Sequence, residues 1–123
     1  MANILVVDDE FQIREMLRKM LEMEGHDVIT ASDGRAAIDL VQQRHIHIDL
    51  IITDIIMPDE DGLGVLMKLK NHSPEIKVIA ISGGGRIGPQ DYLKMAKGLG
   101  AHRVFSKPVE REEMLNAIKE LLD

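Results

Sequence analysis

Short, unbroken apolar runs alternate along this chain with stretches whose apolar residues recur at helical spacing. Ile4-Leu5-Val6-Val7, Leu50-Ile51-Ile52 and Val78-Ile79-Ala80-Ile81 contain no polar residue, the pattern of strands buried on both faces of a parallel sheet. Val28-Ile29 and Val104-Phe105 are weaker cores of the same kind. Ile13, Met16, Leu17, Met20 and Leu21 fall on one stripe of an amphipathic helix, and Gly25 is placed to end it. The spacing returns at Ala37, Leu40 and Val41, at Leu63, Leu66 and Met67, at Tyr92, Met95, Ala96 and Leu99, and at Met114, Ile118, Leu121 and Leu122. Five strands alternating with five helices are therefore predicted.

Such alternation calls for right-handed crossovers and an α/β, doubly wound parallel sheet, whose ligands bind beyond the carboxyl ends of the strands. The 123 residues, 45% of them apolar, suit one domain spanning 1–123. No repeat, low-complexity tract or Pro/Ser-rich linker divides them. No apolar run approaches the length of a membrane span, and Met1-Ala2-Asn3 leads straight into a strand, so a soluble, cytoplasmic chain with no membrane partner is expected. The absence of cysteine excludes disulfides and thiolate metal sites. A formal charge of −6, no basic stripe and only two phenylalanines and one tyrosine argue against nucleic acid as a partner.

Chemistry is then sought at the strand ends. Asp8 and Asp9 follow the first strand, Asp54 the third, Ser82 the fourth and Lys107 the fifth. In a sheet ordered 2-1-3-4-5 the first and third strands are neighbours, and Asp8, Asp9 and Asp54 converge at the switch point. Crowded carboxylates repel and call for a cation. Mg²⁺ suits a site of few carboxylates left open to phosphate oxygens, with Asp9 and Asp54 as direct ligands and Asp8 binding directly or through water. The competing reading is that Asp8 and Asp9 merely cap the first helix. A strand-end Asp54 beside a metal is placed to attack phosphorus and form an acyl phosphate, although an Asp before Met57-Pro58 also suits a plain turn. Ser82 can donate a hydrogen bond to a phosphoryl oxygen, and Lys107 supplies a point charge for one. The Lys107-Pro108 bond is a candidate for the cis form. His45 and His47, spaced H-x-H, precede a strand at its amino end and are read as surface residues. Gly83-Gly84-Gly85-Arg86-Ile87-Gly88 lacks the Lys-Ser/Thr ending of a phosphate loop and is read as a connection.

Val6-Val7-Asp8-Asp9-Glu10, the stretch from Asp54 through Met57-Pro58 to Gly62, then Ser82 and Lys107-Pro108, together resemble the response-regulator receiver domains of two-component signalling. The resemblance covers essentially the whole chain. It implies a flavodoxin-like sheet and a phosphorylation switch, with Asp54 taking a phosphoryl group from a sensor histidine kinase or phosphotransfer protein. It also implies that Asp8 and Asp9 organise Mg²⁺, that the backbone carbonyl of Ile56 completes the protein ligands, and that Ser82 and Lys107 hold the phosphoryl oxygens. The output is then a changed protein-binding face read by a downstream protein, the chain being a monomer or a weak phosphorylation-dependent dimer and not an enzyme acting on a separate metabolite.

Two positions depart from the family pattern. The aromatic residue usual three positions before the lysine is replaced by Val104, and Phe105 beside it belongs to the opposite face of a strand. The glycine-rich segment from Gly83 to Gly88 is longer than the family's usual connection. Two alternatives remain open at this point. A haloacid-dehalogenase-type phosphatase would resemble this site but calls for a second Asp where Ile56 stands. A degenerate receiver would bind partners constitutively.

Overall fold

The computed structural model describes residues 2–43, 45–57, 60–82, 94, 97–98 and 100–123, with residues 56–57 and 60–63 described in backbone alone. Its elements run β1 (Asn3–Val7), α1 (Phe11–Met23), β2 (Asp27–Ala31), α2 (Gly34–Gln42), β3 (Leu50–Asp54), β4 (Ile56–Met57), β5 (Glu60–Asp61), α3 (Gly62–His72), β6 (Lys77–Ser82), β7 (Arg103–Ser106) and α4 (Arg111–Leu122). Five strands form a parallel sheet in the order β2-β1-β3-β6-β7. Counting sheet strands alone, this is the expected 2-1-3-4-5. The antiparallel pair β4 and β5 was not foreseen, since two-residue strands carry no readable period. Four helices are present among the described residues. The expected helix marked by Tyr92, Met95, Ala96 and Leu99, and the segment Gly83 to Gly88, lie outside those residues.

The unbroken apolar runs serve two layers at once. Ile4, Val6, Leu50, Ile52, Ile79 and Ile81 pack with Leu17 and Leu21 of α1 and Met114 and Ile118 of α4. Their strand neighbours Leu5, Val7 and Ile51 face the other way, onto Ala37 and Val41 of α2 and Val65 and Leu69 of α3. Because successive side chains alternate across a strand, a run without polar residues is what a sheet covered on both faces requires. Each such side chain contributes roughly 1.5–3 kcal/mol by leaving water. Asp8 and Asp54 share strand parity with Ile4, Val6, Leu50 and Ile52.

Helix ends follow local chemistry. Asp33 caps α2 by accepting from the Ala36 N–H at 2.8 Å. Gly25 takes φ 88° after α1, the left-handed turn that closes a helix most cheaply with glycine. Two stripe residues expected in the core are exposed: Met16 and Met67 at 45% and 47%. Helical spacing alone does not say how wide the covered stripe is. In α1 the burial falls on Leu17, Met20 and Leu21, and in α3 on Val65, Leu66 and Leu69. Among the described residues no helix is long and apolar enough to cross a membrane.

The amino end of the sheet is tied by side chains. Asp49 Oδ2 accepts from the Asn3 N–H at 2.8 Å. His26 Nδ1 accepts from the Ala2 N–H at 3.2 Å, and His102 Nδ1 accepts from the Val78 N–H at 3.1 Å. Both histidines immediately precede an edge strand, so each edge is pinned to its inner neighbour by a neutral imidazole. Burial lowers the pKa of both. On lowering the pH the unfolded chain takes up these protons first, so the contribution is complete above about pH 6.5 and is lost as the pH falls toward the folded-state values. Urea midpoints should therefore fall between about pH 7 and about pH 5. The His26→Gln/His102→Gln double variant should show a shallower fall, and proton NMR titration should place both imidazole pKa values below the ordinary histidine range.

Candidate functional site

The carboxyl ends of β1, β3, β6 and β7 meet at one edge of the sheet. Register makes this unavoidable: Val7 pairs with Thr53, Asp54 with Ile81, and Ser82 with Ser106. The ladder between β6 and β7 runs one residue further, because the Lys107 N–H donates to the Ser82 carbonyl at 2.9 Å. Lys107 is thereby carried to the end of the neighbouring strand, and the Lys107-Pro108 peptide is cis. Its Nζ donates to Asp54 Oδ2 at 2.8 Å and lies 3.1 Å from Asp8 Oδ2 and 3.8 Å from Glu10 Oε1. One ammonium thus bridges the ends of two neighbouring strands.

The surroundings are nearly dry. Asp8, Asp54 and Ser82 are 0%, 3% and 0% exposed, and the Lys107 side chain 18%. Asp8 Oδ1 accepts from the Glu10 N–H at 2.9 Å. Asp8 Oδ2 is close to Lys107 Nζ but out of line for a hydrogen bond, and the Ser82 hydroxyl has no partner among the described residues. Buried polar atoms left in this state are costly unless something else satisfies them. Burial, and then the charge of Asp54, push the Asp8 carboxyl up, against the Glu10 N–H and Lys107, which pull it down. The ionised form of Asp8 therefore costs stability as the pH rises above the ordinary carboxylate range. For Lys107, burial alone would lower the pKa, but the hydrogen bond and charge of Asp54, with Asp8 behind it, outweigh burial and raise it.

The carboxylates of Asp8, Asp9 and Glu10 bring ligand oxygens within 4.8 Å of one another. Three acids around one buried, unaligned carboxylate oxygen fit a hard divalent cation. The helix-cap alternative for Asp8 and Asp9 does not hold. Glu10 is the N-cap of α1, the helix has no side-chain cap, and Asp8 folds back on the Glu10 amide within its own loop. Asp54 meets this group through Lys107 rather than through a compact four-acid cluster. Ile56 lies in β4, two residues after Asp54. Glu10, quoted in the motif but given no role from sequence, belongs to the acidic group; its position next to two acids was the available signal. Arg14 was also missed: its Nη1 donates to the Asp8 carbonyl at 2.8 Å, a contact from a helix back to a loop that no spacing rule announces. His45 and His47 stand apart as expected, exposed, with His47 Nε2 at 2.8 Å from Asp49 Oδ1. Val104 packs beside Ile55 and Leu66, whereas Phe105 packs into the layer of α1 and α4, so the two do lie on opposite faces.

Strand-end acids and a lysine gathered at one edge of a 2-1-3-4-5 parallel sheet define a flavodoxin-like α/β signalling-domain class, and similarity to known proteins gives its family. The model of the response regulator receiver domain matches residues 4–119, and the chain belongs to that family of two-component signalling modules. It is 33% identical over 120 residues to sporulation initiation phosphotransferase F of Bacillus subtilis (strain 168), covering 98% of this chain and 93% of that protein. It is 37% identical to the probable transcriptional regulator ycf27 of Cyanophora paradoxa over 98% of this chain, but spans only 48% of that protein's length. A receiver domain protein of Clostridium thermocellum superposes with a TM-score of 0.89 at 32% identity, covering 99% and 94% of the two chains. Receiver domains work with histidine kinases or phosphotransfer proteins, and generally hold Mg²⁺ in an acidic pocket.

Removing the ammonium takes away the countercharge that Asp8 and Asp54 share. Lys107→Met should lower stability at neutral pH by about 1–3 kcal/mol without added cation, less than for a fully buried pair because water reaches the lysine. Urea denaturation should also show part of the loss recovered as the pH is lowered, because burial favours the protonated Asp8 carboxyl.

Proposed function

We propose that residues 1–123 act as one receiver unit that accepts a phosphoryl group on Asp54 and signals through an altered protein-binding surface. The observation that carries this reading is the Lys107 ammonium bridging Asp54 and Asp8, with the buried Ser82 hydroxyl, which has no partner among the described residues, at the adjacent strand end. An Asp54 carboxylate oxygen bonds to phosphorus as the P–N bond of a donor phosphohistidine breaks. The imidazole nitrogen leaves with that electron pair and is reprotonated from water. Lys107 then exchanges its carboxylate partner for a phosphoryl oxygen, and the Ser82 hydroxyl donates to another.

The buried Asp8 oxygen and its acidic neighbours fit Mg²⁺, and Asp8, Asp9 and Asp54, with the Ile56 carbonyl, are the residues proposed to hold it. Glu10 lies beside them. When bound, the ion offsets the charge that builds up between carboxylates and phosphoryl oxygens. A phosphoryl group adds roughly −1.5 to −2 charge where two carboxylates already stand. That added charge repels Asp8 and draws the strand ends bearing Lys107 and Ser82 inward, biasing the surface toward a second arrangement. The donor is a sensor histidine kinase or phosphotransfer protein in the cytoplasm, the reader is a separate protein, and the chain is a monomer or forms a weak dimer when phosphorylated.

Incubation with a small acyl-phosphate donor and Mg²⁺, followed by intact-mass measurement, should show one phosphoryl adduct on the wild type. Asp54→Asn and excess chelator should each abolish it. An adduct of equal abundance in Asp54→Asn would remove that residue from its role. Lys107→Ala should retain some modification while losing the phosphorylation-dependent change in partner binding.

A further inference from the structure

The loop from β1 into α1 is held by a side chain with two contacts. Arg14 Nη1 donates to the Asp8 carbonyl at 2.8 Å, and the guanidinium carbon lies 5.6 Å from the centroid of the Phe11 ring. Asp8 is otherwise fixed by its own N–H, which donates to the Ala31 carbonyl at 3.2 Å, and by Oδ1, which accepts from the Glu10 N–H at 2.9 Å. Three of its polar groups are thus committed, and Oδ2 is the oxygen left buried without an aligned partner. Of the three restraints, Arg14 is the one supplied by a side chain. Because α1 has no side-chain cap, this contact adds a side-chain tie between the helix and the loop carrying the acids, beside the main-chain bond from the Arg14 N–H to the Glu10 carbonyl at 3.1 Å. Phe11, at the other end of the guanidinium, is 65% exposed.

We propose that Arg14 is a positioning residue that holds the Asp8 carboxylate aimed at the cation and couples that site to the Phe11 ring on the surface. The inference rests on the cation site proposed above. A planar guanidinium donates in its plane while attracting an aromatic face, two tasks a single ammonium cannot perform in one placement. Phe11 therefore moves with the loop and reports at the surface whether Asp8 is engaged. Simple electrostatics predicts the opposite outcome for removal of Arg14: losing a positive charge near three acids should tighten a divalent cation. A positioning role predicts that binding weakens.

The test is calorimetric titration of Mg²⁺ into wild type, Arg14→Met and Arg14→Lys, with proton NMR of the Phe11 ring during the same titration. Loss of a group that orients a metal ligand weakens affinity about 10-fold or more, and Arg14→Met should show a loss of that order. Arg14→Lys, which keeps the charge and one donor, should recover part of it. The Phe11 ring signals should shift with Mg²⁺ in the wild type and stay still in Arg14→Met. Should Arg14→Met fail to fold, Arg14→Lys decides alone, through a smaller loss of affinity and a smaller ring shift. Mg²⁺ affinity that is unchanged or tighter in the variants would overturn the role of Arg14 while leaving the cation site standing. A wild type that binds no Mg²⁺ would overturn both.

Discussion

One lysine holds together what the sheet would otherwise force apart. Parallel pairing of β1 with β3 delivers Asp8 and Asp54 to the same edge, both buried, and two buried carboxylates so placed repel. The Lys107 ammonium, 2.8 Å from one and 3.1 Å from the other, is the countercharge that makes the arrangement tolerable. It does so incompletely. Asp8 keeps an oxygen without an aligned hydrogen bond and a carboxyl that burial drives toward protonation. The site is therefore a folded arrangement with an unmet electrostatic demand, and the proposed cation and phosphoryl group are the ligands that would meet it.

The rest of the fold supports this edge. The core packs two layers of helices against the sheet, and the parallel register of its ladders brings the strand ends to one edge. At the opposite end, His26, His102 and Asp49 take up amide hydrogens that the strand ladders leave over. The two ends differ: among the described residues the buried side-chain oxygens without a hydrogen bond, on Asp8 and Ser82, both lie at the carboxyl end.

Much of this was legible in the residues. The three unbroken apolar runs gave the inner strands and their burial on both faces, the two weaker runs gave the edge strands, and position at the strand ends of a 2-1-3-4-5 sheet picked out Asp8, Asp9, Asp54, Ser82 and Lys107 before the family resemblance gave them roles. What escaped has a physical explanation in each case. Met16 and Met67 sit at core spacing but at the margin of the covered stripe, a width that depends on neighbouring helices rather than on the helix itself. The pairing of β4 with β5 is too short to have a period. Arg14 acts through a main-chain carbonyl, and a carbonyl is present at every position, so no residue pattern marks it. The cis bond at Lys107-Pro108 was only one of two forms open to such a dipeptide in sequence.

The two partners of the central ion pair are mounted on unequal supports. Asp54 ends the strand at the middle of the sheet, laced to a neighbour on either side, whereas Lys107 leaves the outermost strand, which has a single neighbour. Moving the aspartate would tear two seams, while moving the lysine strains only one. The acceptor thus behaves as an anvil and the lysine as an adjustable jaw, and any repositioning when the charge at the centre changes is absorbed first at the rim.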